Sequence, residues 1–168
     1  VDPSLSPSMD IQVSSNFERL LVELLDRDGL EVARLMKRFA KSGSFDVADN
    51  VLRSALSLFS GFCLNDDGTR AEIRSTYQQT GMVIDPHSAV GLAGARQARA
   101  SGLVRQDTPI ISLACAHPAK FPDAVQSACG IYPGLPEHLA NLMQRDDAML
   151  TAENDMEAVK ALLRAERR

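Results

Sequence analysis

The run ISLACAHPAKFPDAV, Ile111 to Val125, places a thiol, an imidazole and an ammonium at Cys115, His117 and Lys120, between a short apolar stretch and a helix signal. Ile110, Ile111, Leu113 and Cys115 predict a strand largely buried on both faces, within a longer strand span from Thr108 to Ala116. Pro118 and Pro122 suit a loop that enters a helix. In open α/β sheets the end of such a strand is where ligands sit. Buried strands that bind nothing also end this way, so on these residues alone the structural and the functional readings stand level.

Two helix starts carry further chemistry. Ser14, Ser15 and Asn16 form one, and Asp85, Pro86, His87 and Ser88 the other. Each sets polar side chains beside unpaired backbone N–H groups, an arrangement that holds an anion or simply caps the helix. Capping accounts for Ser15 and Asp85, but it requires neither the Asn16 amide nor the His87 imidazole. A metal site would need the fold to bring His87 and His117 together with Asp85, and no ligand spacing supports one, so no metal is expected. His138 reads as a surface residue early in a helix. The sequence has no P-loop, no G-x-G-x-x-G, no G-x-S-x-G and no H-E-x-x-H.

Composition narrows the class. With 168 residues, 45% of them hydrophobic, the chain can bury one core. Its 18 basic and 22 acidic residues give a formal charge of -4, without the basic clusters that nucleic acid or an anionic membrane surface would demand. Arg164, Arg167 and Arg168 read as a solvated helix end. No apolar stretch approaches the roughly 20 residues needed to span a bilayer, and the opening VDPSLSPSMD has no signal-peptide pattern, which makes the cytoplasm the default expectation. Cys63, Cys115 and Cys129 are odd in number and widely spaced, and each is expected to be a small buried hydrophobe.

Helices must position these groups. Ser15 and Glu18 make a capping box for a helix reaching Arg27, and Asp28 and Glu31 make another for a helix ending near Gly43. Residues 46–62 give a mixed pattern. A turn at Asn65 to Gly68 leads to a helix over Thr69 to Gln79 closed by Gly81, with Ile73 and Tyr77 inward; Met82 to Ile84 then form a very short strand or buried connection. Asp85 caps the next helix and Pro86 opens it; the helix runs to about Ala100 and stops at Gly102, with a slim face of Ala89, Ala93, Gly94, Ala95 and Ala98. Phe121 to Cys129 form another helix, Leu135, Leu139, Leu142 and Met143 suggest one more, and Asn154 with Glu157 caps a last helix packed through Met156, Val159, Leu162 and Leu163. Helices outnumber strands, and so few strands cannot complete a sheet. The expectation is a helix-rich C-terminal part of an α/β enzyme whose sheet is completed by upstream sequence; a chain opening at Val1 in a Pro-containing stretch fits processing, truncation or a larger polypeptide.

Three runs then carry a family likeness. SPSMDIQVSSNFERLL at Ser6 to Leu21, DPHSAVG at Asp85 to Gly91, and LACAHPAKFPDAV at Leu113 to Val125 closely resemble the C-terminal half of threonine synthases, in family order. The resemblance covers essentially the whole chain and about the last third of such an enzyme. It implies a tryptophan synthase β-like fold (fold type II) and a pyridoxal 5'-phosphate (PLP) cofactor. The implied reaction turns O-phospho-L-homoserine and water into L-threonine and phosphate. Residues 1–168 would be the C-terminal segment of the catalytic α/β region, with 1–14 a leading loop or strand. The N-terminal region and the lysine that carries the cofactor would be absent; Lys37, Lys41 and Lys120 are not assigned to that role. The upstream part of the same polypeptide would be a required partner, and the chain alone would be inactive.

The resemblance also assigns site roles. At the strand end the family has threonine, as in LATAHPAKF, whose hydroxyl meets the pyridine nitrogen; here Cys115 stands there, a weaker hydrogen-bonding group, as the expected cofactor contact. Ser88 replaces the threonine of DPHTAVG and keeps the hydroxyl. His117, Lys120 and His87 are the supporting catalytic candidates, and Ser15, Asn16, Asp85 and Ser88 the substrate or anion-binding candidates. The competing readings are a threonine-synthase-like phospho-lyase that makes 2-oxobutyrate, and a non-catalytic helical interaction module.

Overall fold

The computed structural model describes residues 3–11, 14–147 and 149–165. The chain divides into two compact units, Val1–Gly134 and Leu135–Arg168. In the first, α1 (Ser15–Leu24), α2 (Gly29–Ser42) and α3 (Asp49–Leu58) precede α4 (Asp66–Thr80), α5 (Pro86–Ala100) and α6 (Pro122–Cys129). The second holds two 3-10 turns, Glu137–Leu139 and Leu142–Gln144, and α7 (Met156–Ala165). No helix among the described residues is long and apolar enough to cross a membrane.

Local capping chemistry sets most helix limits. Asp28 accepts the N–H groups of Leu30 and Glu31 at the head of α2, and Gly43 ends that helix at φ 74°, a left-handed position that suits glycine. Asn65 caps α4 through Gly68 N–H, so the expected turn at 65–68 is the first turn of that helix. Asp85 caps α5. Elsewhere the expected caps move. Ser14, not Ser15, is the N-cap of α1 and uses no side-chain bond; the helix stops at Leu24 because Asp26 and Arg27 turn the chain at φ 53° and 63°. Asp155, rather than Asn154, accepts the N–H groups of Glu157 and Ala158 at the head of α7.

The centre of the first unit lies where α4 packs against both α5 and α6, around Ile73, Ala89 and Ala128, with Ile84 and Cys129 at its margin. The alanines of α5 make this possible: without bulk at Ala89 and Ala93, the helix can approach closely. The first three helices form a smaller group, α1 touching α2 and α3, with Leu21, Val32, Leu35 and Val51 buried.

The expected strand differs. Pro109 to Cys115 run free of turns and bends, but no strand occurs among the described residues, and Ile111 and Leu113 stand 87% and 77% exposed. A strand exists by exchanging backbone hydrogen bonds with a neighbour, and these residues have none to exchange with here. The expected helix over 135–143 is instead the pair of 3-10 turns, with His138 exposed on the first. The apolar face of α7 is not packed within its own unit: Met156 and Leu163 are exposed, and no second α-helix among that unit's described residues lies opposite. The cysteine expectation also fails, since Cys63 and Cys115 are exposed and Cys129 half-buried. The readings for Arg167 and Arg168, and part of that for 1–14, lie outside the described residues.

Ile73 is fully enclosed between small alanine side chains that cannot expand to fill a void. Ile73→Ala should therefore lower unfolding stability by about 2–5 kcal/mol, read from the urea midpoint at unchanged slope. A loss below that of a surface substitution would show that this contact is not the centre of the core.

Candidate functional site

The site is built at the head of α5, where Asp85 is fully buried. Its Oδ1 accepts the His87 N–H at 3.0 Å and lies 3.0 Å from His87 Nδ1. Its Oδ2 accepts the N–H groups of Ser88 and Ala116, each at 3.4 Å, and the Ser88 hydroxyl. Burial pushes the carboxyl up, but the bonds from Ser88, from the His87 ring and backbone, and from Ala116 outweigh it and hold it below its ordinary value. Among the described residues no Lys or Arg pairs with Asp85; hydrogen-bond donors balance its charge instead.

His87 carries the network outward. Its Nε2 accepts the Ser8 N–H at 3.1 Å, so the ring proton sits on Nδ1 and is donated to Asp85. Its ring packs 4.8 Å from that of Phe121. Both nitrogens of this supporting catalytic candidate are therefore engaged within the fold. Ser88 Oγ, besides donating to Asp85, accepts the Cys115 N–H at 3.0 Å. The α5 N–H groups that were expected to receive an anion are thus turned to the Asp85 carboxylate.

Beside this network lies an open cavity of about 600 Å³, lined by Ile84, Ser88, Leu113, Cys115, Ala116 and His117 among others. The size suits a small-molecule site. Among the described residues the Cys115 thiol has the Leu113 carbonyl as its one hydrogen-bond partner, at 3.5 Å. His117 Nδ1 accepts the Ala119 N–H at 3.2 Å, which leaves its proton on Nε2. Thr76 and Ser112 also line the cavity. Sequence reasoning missed both, because nothing local marks a residue that reaches a site through tertiary packing. The Ser8 contact was missed for the same reason, although its run had been singled out.

The remaining candidates lie elsewhere. Lys120 is exposed on the Pro118–Lys120 turn and outside the cavity lining. Ser15 and Asn16 are exposed at the head of α1, where Asn16 Oδ1 accepts from Arg19. No hydrogen bond among the described residues joins them to the α5 network. No cluster of metal-ligating side chains occurs among the described residues.

A family model described as "Threonine synthase, C-terminal" matches residues 88–163. A threonine synthase of Pseudomonas aeruginosa is 43% identical over 162 residues, covering 96% of this chain and 34% of that protein. The chain belongs to the threonine synthase family. It spans about a third of the length of the curated relatives it matches, 34% and 32% for those of P. aeruginosa and Corynebacterium glutamicum. The PLP-bound threonine synthase of Brucella melitensis superposes over 100% of this chain and 35% of its own, with a TM-score of 0.80 at 42% identity. The yeast threonine synthase gives 0.74 at 30% identity, over 98% of this chain and 36% of its own. The fold is accordingly the helix-rich C-terminal part of a tryptophan synthase β-like, fold type II structure, with no sheet among the described residues. In this chain DPHSAVG and LACAHPAKF meet: Ser88 and Asp85 of the first bind the backbone of Cys115 and Ala116 in the second.

A carboxyl whose folded-state pKa lies below its unfolded value adds stability at every pH above the unfolded value, and loses it as the pH falls through the folded one. Asp85 is such a group. Unfolding measured from neutral pH down to about pH 2 should show wild-type stability falling on the acid side of the ordinary carboxylate range. Asp85→Asn should be less stable at neutral pH and flatter with acid, so that the two profiles converge. Profiles that stay parallel would remove Asp85 as the source.

Proposed function

We propose that this chain forms part of a PLP enzyme that converts O-phospho-L-homoserine and water into L-threonine and phosphate. The single observation that carries the reading is the cavity at the head of α5, walled by Cys115 and His117 where two threonine synthase motifs meet. The donor set suits a flat heteroaromatic group: apolar side chains, a thiol and an imidazole N–H line the space, while Asp85 is turned away into its own network. When bound, PLP supplies the electron sink for bond changes next to the substrate's α-carbon.

The residues of this chain then have distinct work. Cys115 would be the contact for the pyridine ring; a thiol is a weak donor and acceptor, and would not hold the ring nitrogen protonated as a carboxylate would. His117 offers its Nε2 proton to an oxygen of the substrate. Lys120, exposed on the Pro118–Lys120 turn and outside the cavity lining, would contribute positive charge only from the periphery. Ser15 and Asn16 are the anion-binding candidates away from the α5 network, and Asp85, Ser88 and His87 hold the wall in place. The cofactor's lysine is assigned to sequence other than these residues, since Lys37, Lys41 and Lys120 are exposed and none lines the cavity. The upstream part of such an enzyme is therefore a required partner, and the same reading carries the expectation of a cytoplasmic protein.

Product analysis tests the reaction. The chain joined to the upstream two thirds of a threonine synthase should release threonine and phosphate in equal amounts from O-phospho-L-homoserine. Accumulation of 2-oxobutyrate with little threonine would assign a phospho-lyase instead, and a cooperative, PLP-free module would overturn both. In the same protein, Cys115→Ala should displace the absorbance band of bound PLP or lower kcat by about tenfold while the fold is retained, the weakness of a thiol contact limiting the effect. Spectra and kinetics that do not move would reject the role of Cys115.

A further inference from the structure

We propose that Ser88 and Asp85 are positioning residues for Cys115: together they fix the peptide of residue 115 against the first turn of α5 and so set where the thiol stands in the cavity wall. The inference rests on the reading of that wall as the cofactor's. Asp85, Ser88 and Gly91 recur at three-residue steps on α5, which places them along one helix face. They meet Ala116, Cys115 and Ser112 in descending order. Asp85 Oδ2 accepts the Ala116 N–H at 3.4 Å, and Ser88 Oγ accepts the Cys115 N–H at 3.0 Å. At Gly91 a Cβ would lie 3.1 Å from Ser112 Oγ, so the two stretches run close together there. The segment therefore lies antiparallel along α5, read by one face of the helix.

The hydroxyl of Ser88 is doubly committed. It donates to Asp85 Oδ2, which turns its lone pairs toward Cys115 N–H, and rotation would break both bonds. The thiol lacks any comparable hold, its contact being the carbonyl of Leu113 at 3.5 Å. Among the described residues, the bonds that hold the peptides of residues 115 and 116 are those to Ser88 and Asp85, so the head of α5 sets where Cys115 points. Threonine would keep the hydroxyl, whereas alanine would strand an N–H and a carboxylate oxygen.

Ser88→Ala and Ser88→Thr, made in the PLP-loaded protein described above, separate the outcomes. Ser88→Ala should speed amide exchange at Cys115 by about tenfold, the scale of one lost hydrogen bond, with exchange at Ile73 unchanged. Alkylation of Cys115 by iodoacetamide should change rate, and the PLP absorbance band should shift. Ser88→Thr should restore all three. Unchanged exchange at Cys115, or equal acceleration at Ile73, would overturn the proposal, as would faster exchange at Cys115 with absorbance and kcat unmoved. If the unsubstituted protein binds no PLP and makes no threonine, it is the functional reading that fails. Exchange and alkylation then still decide whether Ser88 places residue 115.

Discussion

A single buried carboxylate, held by hydrogen-bond donors and paired with no Lys or Arg among the described residues, ties this site together. An ionised group removed from water is tolerated only when donors replace its hydration. Asp85 takes those donors from its own helix start and from the 115–116 peptides, and one of them, His87, passes the connection on to Ser8. Three stretches far apart in sequence are thereby tied to one group. Withdrawing the helix start or the 115–116 peptides leaves part of a buried charge unsatisfied, and withdrawing Ser8 leaves His87 Nε2 without its donor, so the arrangement of each stretch depends on the others. The helix start favours this further, because its N–H groups and dipole suit an anion.

The core serves that junction. Ile73, Ala89 and Ala128 lock α4, α5 and α6 around the residues that follow Asp85, and Phe121, at the head of α6, packs at a tilt against the His87 ring. Small residues on α5 let the helices approach, and the helix end that carries the charge is held from behind by apolar contact. Hydrophobic packing sets the position of α5, and the polar network sets what lies across its first turn.

What the sequence made legible is what local chemistry decides. Asp28 and Asp85 announce helix starts, and Gly43 and Gly81 announce ends, because a cap or a left-handed glycine acts within a few residues. Asp155 displaced Asn154 as a cap because neighbouring side chains compete for the same N–H groups, and only geometry selects between them. The apolar run at 110–115 predicted a buried strand, yet burial and pairing belong to neighbours, and none is present among the described residues. At the site, both runs that now touch had been marked, but nothing in their spacing says that Ser88 meets Cys115. Long-range contact of that kind leaves no periodic trace.

Set against the threonines that the family resemblance implies at residues 88 and 115, serine and cysteine have unequal physical consequences. Serine in place of threonine at residue 88 removes a methyl group and leaves both hydroxyl bonds intact. Cysteine at residue 115 is a larger change on the proposed reading, since a thiol bonds too weakly to orient itself against a ring. A threonine there could help to fix its own position through its hydroxyl. Cys115 must inherit its position from the backbone, and that backbone is held by Ser88 on one side of residue 115 and by Asp85 on the next peptide. The weaker the side chain at the wall, the more the wall depends on the helix face behind it.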